Sequence, residues 1–104
     1  MHKVFWKGIS NDDRIKAISD ITSVVDKHGT ILNFQKFSDL ALSLVVELES
    51  SRLNSLHNCL AEILTIDGFN PNTSVFTGMT ILFLNVTFLK GTGDLELEVP
   101  DIPE

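Results

Sequence analysis

The sequence predicts an α+β domain in the order β-α-β-β-α-β, with a further β extension at its C-terminal end. Three observations carry this. Residues 12–28 repeat apolar side chains at helical spacing and stop at Gly29. Leu40 to Leu48 alternates strictly, with Leu40, Leu42, Leu44, Val46 and Leu48 on one face. A second helical pattern then precedes a long apolar strand near residues 79–89.

His2 to Ile9 reads as the first strand. Val4, Phe5 and Trp6 are consecutive and bulky, so both faces of this strand are expected to find cover. Gly8 is expected at the strand-to-helix junction. The first helix runs from about Asp12 to His28 and buries Ile15, Ile18, Ile21, Val24 and Val25 with Ala17. Ser10, Asn11 or Asp12 can cap its start. Lys27 and His28 suit the negative end of its dipole, and Gly29 is expected to take the left-handed conformation that ends it.

Thr30 to Phe37 is the second strand, with Leu32 and Phe34 on one face and Ile31, Asn33, Gln35 and Phe37 on the other. Ser38-Asp39 turns the chain into the third strand, so these two form an antiparallel hairpin. Ser50-Ser51 can cap a second helix that buries Leu53, Leu56, Leu60, Ile63 and Leu64 and turns Asn54 and His57 outward. Asp67-Gly68 and Asn70-Pro71-Asn72 read as loop punctuation. The last long strand carries Leu82, Leu84, Val86 and Phe88 on one face and Ile81, Phe83, Asn85, Thr87 and Leu89 on the other. Asp94 to Val99 alternates acid and aliphatic as a short edge strand, and Pro100 and Pro103 end regular structure.

A chain of 104 residues supports one core, so residues 1–104 read as a single domain, with a body over 1–90 and an acidic extension over 91–104. Net charge is −6, and the last eleven residues hold five acids and no Lys or Arg. The remainder has eight basic residues against nine acidic ones, so no basic patch invites nucleic acid. No apolar run is long enough to span a bilayer, and the first ten residues carry no signal-like apolar core. The single cysteine, Cys59, fits a reducing cytoplasm.

This element order gives a ferredoxin-like sandwich, an antiparallel sheet with both helices on one face. The other face would expose Phe5, Val45, Ile81, Phe83 and Leu89, a patch expected to meet a second copy of the chain in a homodimer.

The run Asp13-Arg14-Ile15-Lys16-Ala17-Ile18-Ser19-Asp20-Ile21, followed by Gly29-Thr30-Ile31-Leu32, resembles the first half of an ACT domain. Ile15 and Lys16 stand where that family carries Pro-Gly. The resemblance covers about the first 90 residues. It implies a regulatory module that senses a small molecule, commonly an amino acid, at a subunit interface. The ligand site implied is the Ser10-Asn11-Asp12-Asp13 turn, with Asn33 and Gln35 of a neighbouring strand.

No catalytic constellation accompanies these residues. His57 and Cys59 are two apart on a helix and point in different directions, so no metal or cofactor is expected. No glycine-rich phosphate loop occurs, and Trp6 and Lys7 read as structural. The chain is therefore expected not to be an enzyme. The function expected is that of a stand-alone ACT-like regulatory module holding a small metabolite at a dimer interface; the alternative is a ligand-free assembly module that uses the apolar sheet face.

Overall fold

The computed structural model describes residues 2–38, 40–69 and 77–89. β1 spans His2–Ser10, α1 Arg14–His28, β2 Thr30–Ser38 and β3 Ala41–Glu49. A short 3-10 turn, Ser50–Arg52, leads into α2, Leu53–Leu60. β4, Thr65–Asp67, and β5, Met79–Phe88, follow. The architecture is α+β, with two α-helices and one five-stranded mixed sheet in the order β2-β3-β5-β1-β4 among the described residues.

Side-chain parity decides what the helices cover. The even-numbered residues Val4 and Trp6 of β1, Leu42 to Leu48 of β3 and Leu82 to Phe88 of β5 are buried. They meet Ala17, Ile21 and Val25 of α1 and Leu53, Leu56 and Leu60 of α2. Each such aliphatic side chain contributes about 1.5–3 kcal/mol by leaving water. Ile15, expected on this face of α1, is 72% exposed because it sits in the first turn, away from the buried Ala17-Ile21-Val25 stripe.

The strand order departs from a wholly antiparallel sheet. β5 lies between β1 and β3, parallel to β1 and antiparallel to β3. The strand that follows α2 is instead β4, three residues that pair with Lys7 to Ile9 at the edge. The physical reason is burial. The most apolar segment gains most in the sheet centre, with neighbours on both sides, whereas Thr65-Ile66-Asp67 is short and polar enough for an edge. Gly68 turns the chain out of β4 at φ +97°, where a Cβ would also stand 2.7 Å from the Phe5 carbonyl.

Several local expectations are corrected. α1 is capped by Asp13, whose carboxylate accepts from the Lys16 amide at 3.1 Å. Gly29 is extended, φ −165° and ψ −164°, so the left-handed stop is absent. Glycine is needed there because a Cβ would lie 2.5 Å from the Glu47 carbonyl and 2.7 Å from the Leu48 Cβ. Gly8 sits inside β1 with Leu64 packed above it, not at a junction. α2 ends at Leu60, leaving Ile63 and Leu64 in the turn beyond. Ser50 does not cap it; its hydroxyl is buried against that of Thr80 at 2.6 Å.

In β2, a bulge between Ile31 and Asn33 breaks the alternation. Ile31 lies opposite Val46 and Phe34 opposite Leu44, on the helix side, while Asn33 lies opposite Val45 on the other. Ile31 and Asn33 therefore do not share a face. The expected strand over 94–99, the Asn70-Pro71-Asn72 loop and the acidic extension lie outside the described residues.

Candidate functional site

The turn between β1 and α1 is occupied by its own hydrogen bonds. Ser10 is buried and its hydroxyl accepts from the Asp12 amide at 3.1 Å, while Asp13 caps the helix. Lys16 bonds Asp20 at 3.0 Å and lies 3.8 Å from Asp12. The hydrogen bond to Asp20, then the Asp20 and Asp12 charges, raise the Lys16 ammonium above its usual value near 10.5. Asn11 and Asp12 line a hollow of about 210 Å³ against Glu62 to Thr65. Asn33 and Gln35 are elsewhere: β2 is three strand spacings from β1, roughly 14 Å, and their register partners Val45 and Ser43 belong to the opposite face from Ser10. One chain does not bring the two halves of the predicted ligand site together.

The predicted interface residues do assemble. The odd-numbered residues of β1, β3 and β5 form a face that carries no helix among the described residues. Phe5 lies opposite Phe83, and Phe83 opposite Val45. The two rings stack with centroids 4.8 Å apart and planes 12° from parallel. Even so, Phe5 remains 66% exposed. Ile81 sits in the next row, flanked by Lys3 on β1 and Glu47 on β3. Leu89 lies just past β5, exposed, with its amide bonded to the Ser10 carbonyl at 3.0 Å. Among the described residues, the cover expected over both faces of β1 is present on the helix side, while Phe5 on the other side stays exposed.

Along the strands this face changes character. The row beyond Phe5 and Phe83 reads Asp67, Lys7, Asn85, Ser43 and Gln35 across all five strands. The next reads Thr65, Ile9, Thr87 and Ala41. At the β4 end these two rows enclose a hollow of about 390 Å³, lined by Lys7, Gly8, Ile9, Thr65, Asp67, Asn85 and Thr87. Sequence reasoning missed this grouping. Lys7 and Asp67 become neighbours only because β4 exists, and Asn85 joins them only because β5 lies beside β1.

The remaining candidates are structural in their contacts. His57 is half-buried and stacks on Phe69 at 3.7 Å, with Trp6 edge-on to both. Burial of Trp6 leaves its Nε1 without a partner among the described residues, as it does Nδ1 of His57. His28 Nδ1 donates to the Val24 carbonyl at 2.8 Å, and Nε2 meets the Ser55 hydroxyl at 3.1 Å, which ties the end of α1 to α2. Cys59 is a half-buried free thiol. Among the described residues no three His, Cys, Asp or Glu side chains group together, and no helix is long and apolar enough to cross a membrane.

In comparisons with known proteins, no family model, no curated protein and no solved structure matches this chain.

Proposed function

We propose that this chain is a ferredoxin-like assembly module that pairs with a second copy of itself through the helix-free face of its sheet. The observation that carries this is the stacked Phe5–Phe83 pair, with Phe5 exposed and Phe83 half-buried beside half-buried Val45 and Ile81. Contiguous apolar surface of this kind marks a docking site rather than a solvated face.

The occupant follows from the arrangement of charge. β5 is the central strand of five. A two-fold axis running along β5 lays β1 of one copy over β3 of its partner and β4 over β2. Lys3 and Glu47 occupy the same row on opposite sides of Ile81, so this axis sets each lysine over the other copy's glutamate. A face that is complementary to itself is what an isologous dimer needs. The ACT-like alternative, a regulatory module holding a small metabolite at that dimer interface, draws its support from the polar hollow beside the apolar patch.

The test is protein mass in solution by light scattering. The wild-type chain is expected to run as a dimer, and Phe83→Ser as a monomer with unchanged secondary structure. Lys3→Glu should weaken the dimer severalfold, since it sets like charges face to face, and Lys3→Glu with Glu47→Lys should recover it. A wild-type chain that stays monomeric at high concentration overturns the reading.

A further inference from the structure

Of the two edge strands, β2 is the long one, with nine residues against three in β4. Every β2 residue except Ile31 is exposed, Phe34 and Phe37 among them. An edge of this length, with open backbone donors and acceptors, is a template for a further strand. Between its two bulges β2 is regular over Asn33, Phe34, Gln35 and Lys36. Phe34 and Lys36 lie on the helix side, opposite Leu44 and Leu42. Asn33 and Gln35 lie on the open side, opposite Val45 and Ser43.

Residues 94–99 run Asp-Leu-Glu-Leu-Glu-Val, with aliphatics at odd positions and carboxylates at even ones. We infer that this segment docks along the outer edge of β2 of its own chain, as a strand antiparallel to it. Direction and reach both fit. β5 ends beside Leu40, in the hairpin between β2 and β3. A chain returning from there runs against β2, which is parallel to β5. The outer side of β2 is three strand spacings from β5, roughly 14 Å. Residues 90–93 link Leu89 to Asp94, a reach of roughly 16 Å when extended, and Gly91 and Gly93 can take the reversal. On the other side of β5, the edge of β1 at this end is already taken by β4, at Lys7 to Ile9.

Side-chain parity then fixes the register. Leu97 opposite Phe34 sets Leu95 along the stem of Lys36, and both leucines join the helix side. The same register places Glu96 opposite Gln35 and Glu98 opposite Asn33, where side-chain amides donate to carboxylates. A shift of one residue would set carboxylates on Phe34 and leucines on the amides. Pro100, which has no N–H to give, falls beyond the regular stretch. Docked, the strand closes the long edge and leaves the open face as the surface for assembly. The two-fold axis along β5 lays the partner's β4 over β2 and leaves the added strand outside it, so the inference does not rest on the dimer.

The experiment is amide hydrogen exchange, with nuclear Overhauser contacts, on the isotope-labelled full chain. The amides of residues 95–99 are expected to exchange at least about tenfold more slowly than those of an unfolded chain. The Leu97 methyls are expected to contact the Phe34 ring, and a mixture of differently labelled chains should show that contact within one chain. Leu97→Asp sets a carboxylate on Phe34 and should remove both signals, whereas Leu97→Ile should keep them. The β5 amides should stay protected in both variants. Gln35→Glu, which faces Glu96 with a like charge, should lower the protection severalfold. Unprotected amides over residues 95–99 overturn the inference. So does a contact of Leu97 with Phe83 in place of Phe34, which seats the segment on the open face, or a Phe34–Leu97 contact found only between chains. Mass recorded on the same samples reads pairing separately. A monomer with the contact retains the strand and removes the dimer; a dimer with unprotected amides over residues 95–99 removes the strand and leaves pairing standing.

Discussion

Leu84 and Phe83 are consecutive residues of the central strand, yet they live in different environments. Leu84 is fully buried beneath the helices, whereas Phe83 faces the helix-free side and finds only Phe5 to stack on. The same contrast runs through β1 and β3: Trp6 against Phe5, Leu44 against Val45. The closed face is apolar along most of its length; its buried polar groups are Ser10, whose hydroxyl accepts from the Asp12 amide, and the Ser50–Thr80 hydroxyl pair, which satisfies itself. The open face is apolar in the Phe5-Phe83-Val45 row and at Ile81, charged on either side of Ile81 at Lys3 and Glu47, and polar toward Lys7 and Asn85. A uniform coat would serve packing alone. The two faces differ in composition accordingly: the closed one holds the core, and the open one is the face proposed for pairing.

The sharpest way to break this comparison is to truncate both neighbours. Leu84→Ala should cost about 2–5 kcal/mol of unfolding free energy, because the cavity it leaves cannot collapse between sheet and helices. Phe83→Ala should cost at most about 1 kcal/mol in dilute protein, and should act on association instead. Chemical denaturation at low concentration, paired with mass measurement, reads both. Equal losses would mean that the open face is already covered by the chain itself, and the division of labour would fall.

A smaller effect tests the closed face from its rim. Gly29→Ala places a Cβ against the Glu47 carbonyl and the Leu48 Cβ, backbone-fixed atoms that cannot swing away. The expected loss is about 1–3 kcal/mol, the usual size of overpacking, read as a lower denaturation midpoint. If a left-handed backbone were what Gly29 supplied, Gly29→Asn would be tolerated better than Gly29→Ala. With the extended backbone seen here, Asn should be at least as costly.

What the sequence could and could not reveal follows the same division. β3 and β5 were legible because period-two alternation survives any strand order. α1 was legible because Asp12, Asp13 and Gly29 bracket a helical repeat, although the cap is Asp13 alone. The Phe5-Val45-Ile81-Phe83 patch was legible because parity puts odd residues together whichever strands are adjacent. The polar hollow was not, because Lys7, Asp67 and Asn85 meet only through a particular neighbour order. Three residues of β4 carry no periodicity, and a parallel β1–β5 pairing leaves no local turn signal. The bulge in β2 was equally silent: it reassigns Ile31 by one extra residue that alternation alone cannot announce. Asn33 and Gln35 were correctly read as lying together on one face, but the Ser10 turn belongs to the other.

The smallest expected effect lies on the outer surface of the helix layer, where neither face of the sheet is involved. Lys16 forms an i,i+4 pair with Asp20 and a longer contact with Asp12. These partners raise its folded-state pKa above 10.5. A raised pKa for a cationic group means that the folded chain holds the proton more tightly than the unfolded one. The contribution is therefore complete below the unfolded value and disappears as pH rises through the folded value. Melting curves of wild type and Lys16→Met should differ slightly near neutral pH and converge in strong alkali. Exposure and screening keep the difference small, and added salt should shrink it further. A large, salt-insensitive loss would place the stability of this fold in its surface charges, against the contrast between Leu84 and Phe83, in which burial against the helices decides what a residue is worth.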